Sequence, residues 1–113
     1  MNLYWNIIKS KLLSFIGIPT IYGDGIRDDT KGLQNWLDNK RFRNFRYPLC
    51  TIDGDSFYAL PANYRVTKSL FMNMDDSFVS FEGCVYGYLD SGSTLFIIDG
   101  NNIRMFIDKM VVR

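Results

Sequence analysis

The stretch YGDGIRDDTKGLQNWLD, residues 22–38, sets two glycines and three aspartates directly before an amphipathic segment. Gly23-Asp24-Gly25 predicts a turn, because glycine adopts positive φ at little cost and aspartate bonds to its own nearby backbone. Asp28, Asp29 and Thr30 follow as candidate caps, since their oxygens accept from the free N–H groups at a helix start and negative charge suits the helix dipole. We therefore expect a turn followed by a capped helix.

The predicted helix covers residues 29–38. Leu33, Trp36 and Leu37 occupy its i, i+3 and i+4 positions, which define a short apolar face. Gly32 lies within the helix and lowers its propensity by about 1 kcal/mol relative to alanine. These three large side chains are the predicted contribution of the helix to the core.

A stretch rich in glycine and aspartate is also typical of phosphate and calcium sites. The phosphate patterns GxxxxGK[ST] and GxGxxG are absent, and aspartates would repel a phosphate. The segment DGDS, Asp53–Ser56, is similar to the start of a calcium loop, but its third aspartate is missing and Tyr64 stands in place of the closing glutamate. We therefore favour polar turns and predict no metal site and no cofactor.

The stretch GDGIRDDTKGLQNWLD resembles the GDGxxDDTxAxQxxLD motif of the pectate-lyase-like right-handed parallel β-helix proteins, which include phage tailspikes and polysaccharide-degrading enzymes. In that family the helix leads to a strand written LPAGxYxV, and LPANYRVTKSL at residues 60–70 is similar to it. The matching positions of this second motif are Leu60, Pro61, Asn63, Tyr64 and Val66. The motif is one residue shorter here, and Asn63 stands where the family has a glycine, as a residue that tolerates positive φ.

The two motifs match the family in order and spacing over residues 18–70. In two respects the sequence departs from it: Gly32 replaces a small alanine, and the segment between the motifs is longer and more basic. The resemblance implies a mostly β fold, a short, truncated right-handed parallel β-helix that a helix caps at its N-terminal end. We expect this domain to occupy residues 18–113.

Composition restricts the chemistry that the chain can perform. The 113 residues carry a net charge of +1 and no histidine, which excludes Ser-His triads and the commonest zinc ligand. The charge is too small to attract nucleic acid over the whole surface. Cys50 and Cys84 lack CxxC spacing and are interpreted as small buried hydrophobic residues in a reducing compartment.

Residues 1–17 predict an amphipathic N-terminal helix, ended by Gly17 and Pro19. At 100° per residue, one face collects large apolar side chains: Tyr4, Trp5, Ile8, Leu12, Phe15 and Ile16. Packing on the following domain or on other copies is favoured over membrane-surface binding, because only two lysines support the latter. The interrupted apolar run is also too short to predict a membrane span.

A basic and aromatic segment separates the two motifs. It interleaves cations with rings: Lys40, Arg41, Phe42, Arg43, Phe45, Arg46 and Tyr47. This pattern is found on nucleic-acid surfaces, but in a nearly neutral chain a solvated loop or a subunit contact is favoured. We predict no nucleic-acid partner.

From residue 57 onward, short β-rich runs alternate with turn residues. Leu95–Ile98 is a continuous apolar run that predicts a strand buried on both faces, and Gly100-Asn101-Asn102 predicts the corner after it. Most of the phenylalanines of these runs are expected to face the core: Phe57, Phe71, Phe78, Phe81 and Phe96. These runs supply only about two or three coils of a solenoid, and about three is the usual minimum.

A solenoid that ends on an uncapped coil exposes unpaired backbone groups and apolar interior. We therefore expect the chain to form a homo-oligomer. The resemblance to tailspikes favours a trimer, and other phage tail or head proteins are alternative partners.

Three functions are compatible with the sequence. The favoured one is a non-enzymatic structural or adaptor component of a phage or prophage particle, located in the virion after assembly in the host cytoplasm. The alternatives are a polysaccharide depolymerase and a module that binds cell-surface glycan. Glu82, the only glutamate, is the weak catalytic candidate, and no catalytic residue follows from the motifs.

Overall fold

The computed structural model describes residues 21–38 and 49–113, which form one helix and eight strands. The predicted helix over residues 1–17 and the basic segment at residues 40–47 lie outside the described residues. The elements follow the chain in this order: β1 Asp24–Asp28, α1 Thr30–Asp38, β2 Cys50–Asp53, β3 Ser56–Ala59, β4 Asn63–Val66, β5 Leu70–Met72, β6 Phe78–Gly87, β7 Phe96–Ile98 and β8 Arg104–Val112.

The long strand β6 organises the main sheet. Its first half pairs in parallel with β3 and its second half pairs in parallel with β4, both on one edge. Its other edge pairs in parallel with β8 along both halves. The sheet runs in the order β1-β4-β6-β3-β2 with β8 beside β6, and β5 and β7 form a separate parallel pair.

The strands β2 and β3 form an antiparallel hairpin. Asp53 pairs with Ser56, so the loop between them is Gly54-Asp55, and Gly54 has the positive φ of 61° that a tight primed hairpin turn needs at its first central position. This loop is the polar turn that the sequence predicts at Asp53–Ser56. In the two described ranges, no group of three or more acidic, cysteine or histidine side chains gathers in a way that could hold a metal ion.

The prediction of a right-handed parallel β-helix is wrong. The fold is a curled half-barrel sheet that mixes parallel and antiparallel strands beside a single short helix. The physical reason is the Gly54 turn, because a two-residue loop can join strands only in antiparallel order, whereas a parallel connection needs about a dozen residues or more. The number of strands and the positions of the turns are compatible with both a parallel β-helix and a mixed sheet, so they do not distinguish the two.

The core is built around aromatic rings that α1 brings against the sheet. Trp36 meets Phe81 edge to face, with ring centroids 5.4 Å apart and an interplanar angle of 83°. It meets Phe57 in the same way at 5.7 Å, and Tyr64 approaches Phe81 at 6.0 Å. Such edge-to-face contacts add to the stabilisation that burial of these rings provides. Leu33, Trp36 and Leu37, the predicted apolar face of the helix, are all buried in this core.

Local expectations about burial and backbone conformation had mixed outcomes. Leu95 is buried, but Ile97 and Ile98 are exposed, so the prediction of a strand buried on both faces is wrong. Of the five phenylalanines, most of which were expected to face the core, Phe57 and Phe81 are buried and Phe71 is exposed. Asn63 does not adopt positive φ, which in the described residues is found outside glycine only at Asp76 and Asn102. Asn63 instead starts β4, where extended backbone is required.

Both cysteines are free and buried, as the sequence predicts for small apolar positions. Cys50 begins β2 and Cys84 lies in β6. Burial raises the pKa of the Cys50 thiol well above its usual value.

The aspartates before α1 tie three parts of the chain together. Asp28 Oδ1 accepts hydrogen bonds from Thr30 N at 3.0 Å and Thr30 Oγ1 at 2.5 Å, and its Oδ2 accepts from Thr67 Oγ1 at 2.7 Å. Burial by itself would raise the pKa of Asp28, but these bonds outweigh it and hold the pKa below its usual value. Asp28 therefore joins the helix start to the loop that follows β4.

Asp29 is fully buried and performs a different task. Its backbone oxygen accepts the first bond of the helix, from Leu33 N at 2.9 Å. Its carboxylate accepts from Tyr22 N at 2.7 Å, Gly23 N at 3.2 Å and Arg65 N at 3.4 Å. Asp29 thus joins the turn at Gly23 to strand β4.

Around this network, Gly23 and Gly25 have φ values of 67° and 72°, as turn residues. Asp24 Oδ1 accepts from Ile26 N and Arg27 N, both at 2.9 Å. The turn and helix caps predicted from the sequence therefore have a structural role: they join the turn at Gly23, the start of α1 and strand β4.

Because of the buried carboxyl of Asp29, we expect the free energy of unfolding to depend on pH. Burial raises the pKa of its carboxyl from 3.8 to about 7, against the opposite effect of the three N–H donors. Between these two values the folded chain holds a proton that the unfolded chain has released. The contribution of Asp29 to the free energy of unfolding therefore falls as pH rises from about 4 to about 7, by at most about 1.4 kcal/mol per pH unit.

Urea unfolding at several pH values between 4 and 7 measures this fall. Asp29→Asn cannot titrate and should lack it, whereas Asp55→Asn, in the exposed hairpin loop, should keep it. The same pH dependence in wild type and Asp29→Asn would contradict the assignment.

Candidate functional site

One side of the sheet is closed by α1. Gln34 Oε1 accepts from Phe71 N at 2.8 Å, and Gln34 Nε2 donates to Phe71 O at 2.9 Å. The side-chain amide therefore satisfies both backbone groups of Phe71, as a neighbouring strand would. Trp36 Nε1 similarly donates to Thr51 O of β2 at 3.0 Å. The helix thus supplies polar partners to strand edges while its apolar face fills the core.

Two strands, β7 and β8, have an edge that no other described strand covers. We define the open end as strands β7 and β8 together with their inward-facing side chains. In the described ranges, β7 pairs only with β5 and β8 only with β6. The inward-facing side chains are Phe96, Ile98, Met105, Ile107, Met110 and Val112, identified by their direct pairing with inner positions of β5 and β6.

Exposure rises abruptly at the last strand. Directly paired residues of parallel strands point to the same side of a sheet, so Tyr64, Val85 and Met110 form one inward row across β4, β6 and β8. Tyr64 and Val85 are 0% exposed, whereas Met110 is 50% exposed. The core therefore continues in apolar residues up to a surface where no further layer of the described chain covers it.

The same step is seen in β5 and β7. Met72 is 0% exposed, and its partner Ile98 in the last strand is 49% exposed. Val112 of β8 is 53% exposed, although it pairs with the buried Gly87. These apolar side chains are exposed beside strand edges that are unpaired in the described residues, and both features are typical of sites where another polypeptide binds.

The catalytic candidate Glu82 lies elsewhere. It is exposed on β6, where the pairing with β8 shifts register between Phe81 and Cys84. Its side chain makes no hydrogen bond or ion pair with any described residue. The adjacent Gly83 has no room for a side chain, because a Cβ there would lie 2.2 Å from the carbonyl oxygen of Ala62. The irregularity at Glu82 is therefore explained by backbone packing.

The strand motif at residues 60–66 also has structural roles. Tyr64 and Val66 are fully buried in β4, and the Tyr64 hydroxyl donates to the carbonyl oxygen of Leu60. Pro61 is exposed in the connection before β4. The buried members of this motif belong to the core.

A small surface groove contains two tyrosines. It has a volume of about 230 Å³ and is lined by Asp24, Gly25, Asn63, Tyr86 and Tyr88. The Arg65 guanidinium lies 4.6 Å from the Tyr88 ring centroid, in cation–π contact with one face of that ring. In this groove aromatic side chains lie beside carboxylate and amide groups, a combination that glycan-binding modules use.

A larger open groove, of about 440 Å³, lies between the start of α1 and the loops after β4 and β6. Its lining combines lysines and hydroxyl side chains with Phe71 and Leu89. Gln34, which lies in its wall, is occupied by the bonds to Phe71 described above.

Comparisons with protein-family models, with curated proteins and with solved structures find no match to this chain. Across residues 21–38 and 49–113, no helix has the length and apolarity needed to cross a membrane.

The closing role of Gln34 is tested by Gln34→Met, which keeps the side-chain length and removes the amide. The Phe71 N–H should then exchange with solvent faster, and the free energy of unfolding should fall by about 1 kcal/mol. Lys31→Met is the matched control, since Lys31 is exposed on the same helix. Equal effects of the two substitutions on Phe71 exchange would show that the amide does not cover β5.

Proposed function

We propose that this chain is a non-enzymatic structural or adaptor component of a phage or prophage particle and acts by joining polypeptide chains at its open end. The observation that carries the assembly role is the step in exposure from 0% at Val85 to 50% at Met110 along one inward row. The phage setting and a location in the virion rest on the resemblance of the two sequence motifs.

The difference between the two sides of the sheet favours a role in which the chain binds partners at one end only. Helix α1 covers one side with its own apolar face and side-chain hydrogen bonds, so that side needs no partner. At the open end, by contrast, apolar side chains are exposed beside strand edges that have no partner in the described residues. A chain built in this way adds to an assembly through one end.

Copies of the same chain are the proposed cover, and other tail or head proteins are the alternative. Burying half-exposed methionine, isoleucine and valine side chains stabilises association by roughly 25 cal/mol for each Å² removed from water. The trimer implied by the resemblance is one outcome that a native mass would reveal. An even number of subunits is expected where two identical edges pair about a twofold axis.

A glycan-binding module remains a second candidate, favoured by the groove with Tyr86 and Tyr88. Aromatic faces beside carboxylate and amide groups suit sugar rings. One face of Tyr88 is already covered by Arg65, which reduces the platform open to a sugar. The open end is therefore the better supported site.

The proposal is tested by the native mass of the chain at about 100 μM, a concentration at which even a weak specific association is populated. We expect an oligomer, and Met110→Lys should dissociate it because a charge would then lie at an apolar contact. Ile26→Lys is the matched control: Ile26 is 74% exposed on β1 and should not affect the mass.

A monomeric wild type at this concentration would contradict self-association. Equal dissociation by Ile26→Lys would show that the open end is not the contact. Co-sedimentation of the chain with purified virions tests the phage setting separately, and a chain found only free in lysate would count against it.

A further inference from the structure

We propose that the occupant of the open end is the same end of a second copy, held by antiparallel pairing of β8 with itself about a twofold axis at Phe106. This inference rests on the proposed assembly role and specifies its partner, register and symmetry. It is carried by the order of charged, aromatic and apolar side chains along residues 104–108 and by the direction of their backbone groups.

The backbone of β8 is ready for this register. Arg104 N donates to Ser77 O at 2.9 Å, so Arg104 and Phe106 direct their backbone groups towards β6. By the alternation of a parallel ladder, Met105 and Ile107 direct theirs away from it. With Phe106 opposite itself, Met105 stands opposite the partner's Ile107, and each such pair can exchange both of its N–H···O bonds. All the backbone groups that β6 leaves unpaired in this segment then find partners.

The side chains on the outer face are self-complementary in charge. Arg104, Phe106 and Asp108 alternate with the inward residues and are all exposed, Phe106 by 50%. In the described part of the chain, neither Arg104 nor Asp108 makes an ion pair. Because the two charges lie two residues on either side of Phe106, a twofold axis there sets Arg104 opposite the partner's Asp108 and repeats that pair by symmetry.

Other registers are less favourable. An axis at Arg104 would set two arginines opposite each other, and an axis at Asp108 would oppose two aspartates; like charges directly opposite are destabilising. The axis at Phe106 joins both opposite charges and also places the two aromatic rings in a non-hydrogen-bonded pair, where side chains approach most closely. Of these three axes, only the one at Phe106 sets opposite charges against each other.

The apolar interior follows the same geometry. Met105 and Ile107 pair with Val79 and Phe81 of β6, so they face the core side of the sheet. Antiparallel pairing would place each beside the partner's inward residues and bring the two open ends together. The pairing extends only over residues 104–108, because the register between β6 and β8 shifts before Lys109. Beyond Asp108 the backbone ladder between the two copies is not continued.

A charge-swap experiment on the full chain tests the register. Arg104→Asp and Asp108→Arg should each weaken self-association by about tenfold or more, because each replaces two opposite-charge pairs by two like-charge pairs. The double variant Arg104→Asp/Asp108→Arg should return association to within about threefold of wild type. Both residues are exposed, so thermal unfolding of the dissociated chain should change little in all three variants.

Cysteine cross-linking tests the position of the axis. Phe106→Cys places two thiols directly opposite each other in a non-hydrogen-bonded pair, within the Cα separation that a disulfide requires, so oxidised glutathione should yield a covalent dimer. Met110→Cys is the control with the same 50% exposure. Two such residues would lie about 26 Å apart along the paired strands and should not be linked.

The outcomes separate this inference from the proposed function. An oligomer whose association is not restored by the double swap, or in which Phe106→Cys links no better than Met110→Cys, overturns the twofold pairing and leaves assembly standing. A native mass of three subunits also overturns it. A wild type that stays monomeric overturns self-association together with this inference, and leaves only assembly with other proteins.

Discussion

Every β-strand has two edges, and the N–H and C=O groups along each edge must find partners before apolar surface beside them can be buried. This constraint explains most of what the described chain does. The strand β6 meets it fully, with β3 and β4 on one edge and β8 on the other. Helix α1 meets it for β5 through the Gln34 amide. In the described residues the outer edge of β8 has no partner, and apolar side chains of that strand are exposed. These two features together define the candidate site.

Local structure could be predicted from the sequence because its causes are local. The positive φ of Gly23 and Gly25 and the buried face formed by Leu33, Trp36 and Leu37 depend on residues a few positions apart. The position of the polar turn at Asp53–Ser56 is local in the same sense.

The arrangement of the strands could not be predicted in this way. Whether a strand pairs in parallel or antiparallel depends on the length of the connection and on distant partners, and alternation of side chains is the same in both cases. The resemblance to β-helix proteins therefore led to a wrong fold. Asn63 shows the same limit at one residue, since it occupies a family glycine position but begins an extended strand.

The candidate site was visible in the sequence only in part. The symmetric spacing of Arg104, Phe106 and Asp108 can be read directly from the chain, but its meaning depends on β8 being an edge strand. The exposure of Ile97 and Ile98 was not foreseen, because an apolar run indicates burial without saying what provides it. The expectation of an uncovered solenoid end followed from the wrong fold; what the described residues show is an unpaired edge of β8.

The central claim is that a second polypeptide covers the β8 edge, and residue-resolved amide hydrogen exchange measures this most directly. The amides of Met105 and Ile107 point away from β6, and they have no strand partner among residues 21–38 and 49–113. The account predicts that both amides are protected at high protein concentration and lose that protection on dilution, while amides in β4 stay protected throughout. Exchange of Met105 and Ile107 as fast as that of the exposed Gly92 at every concentration would contradict it.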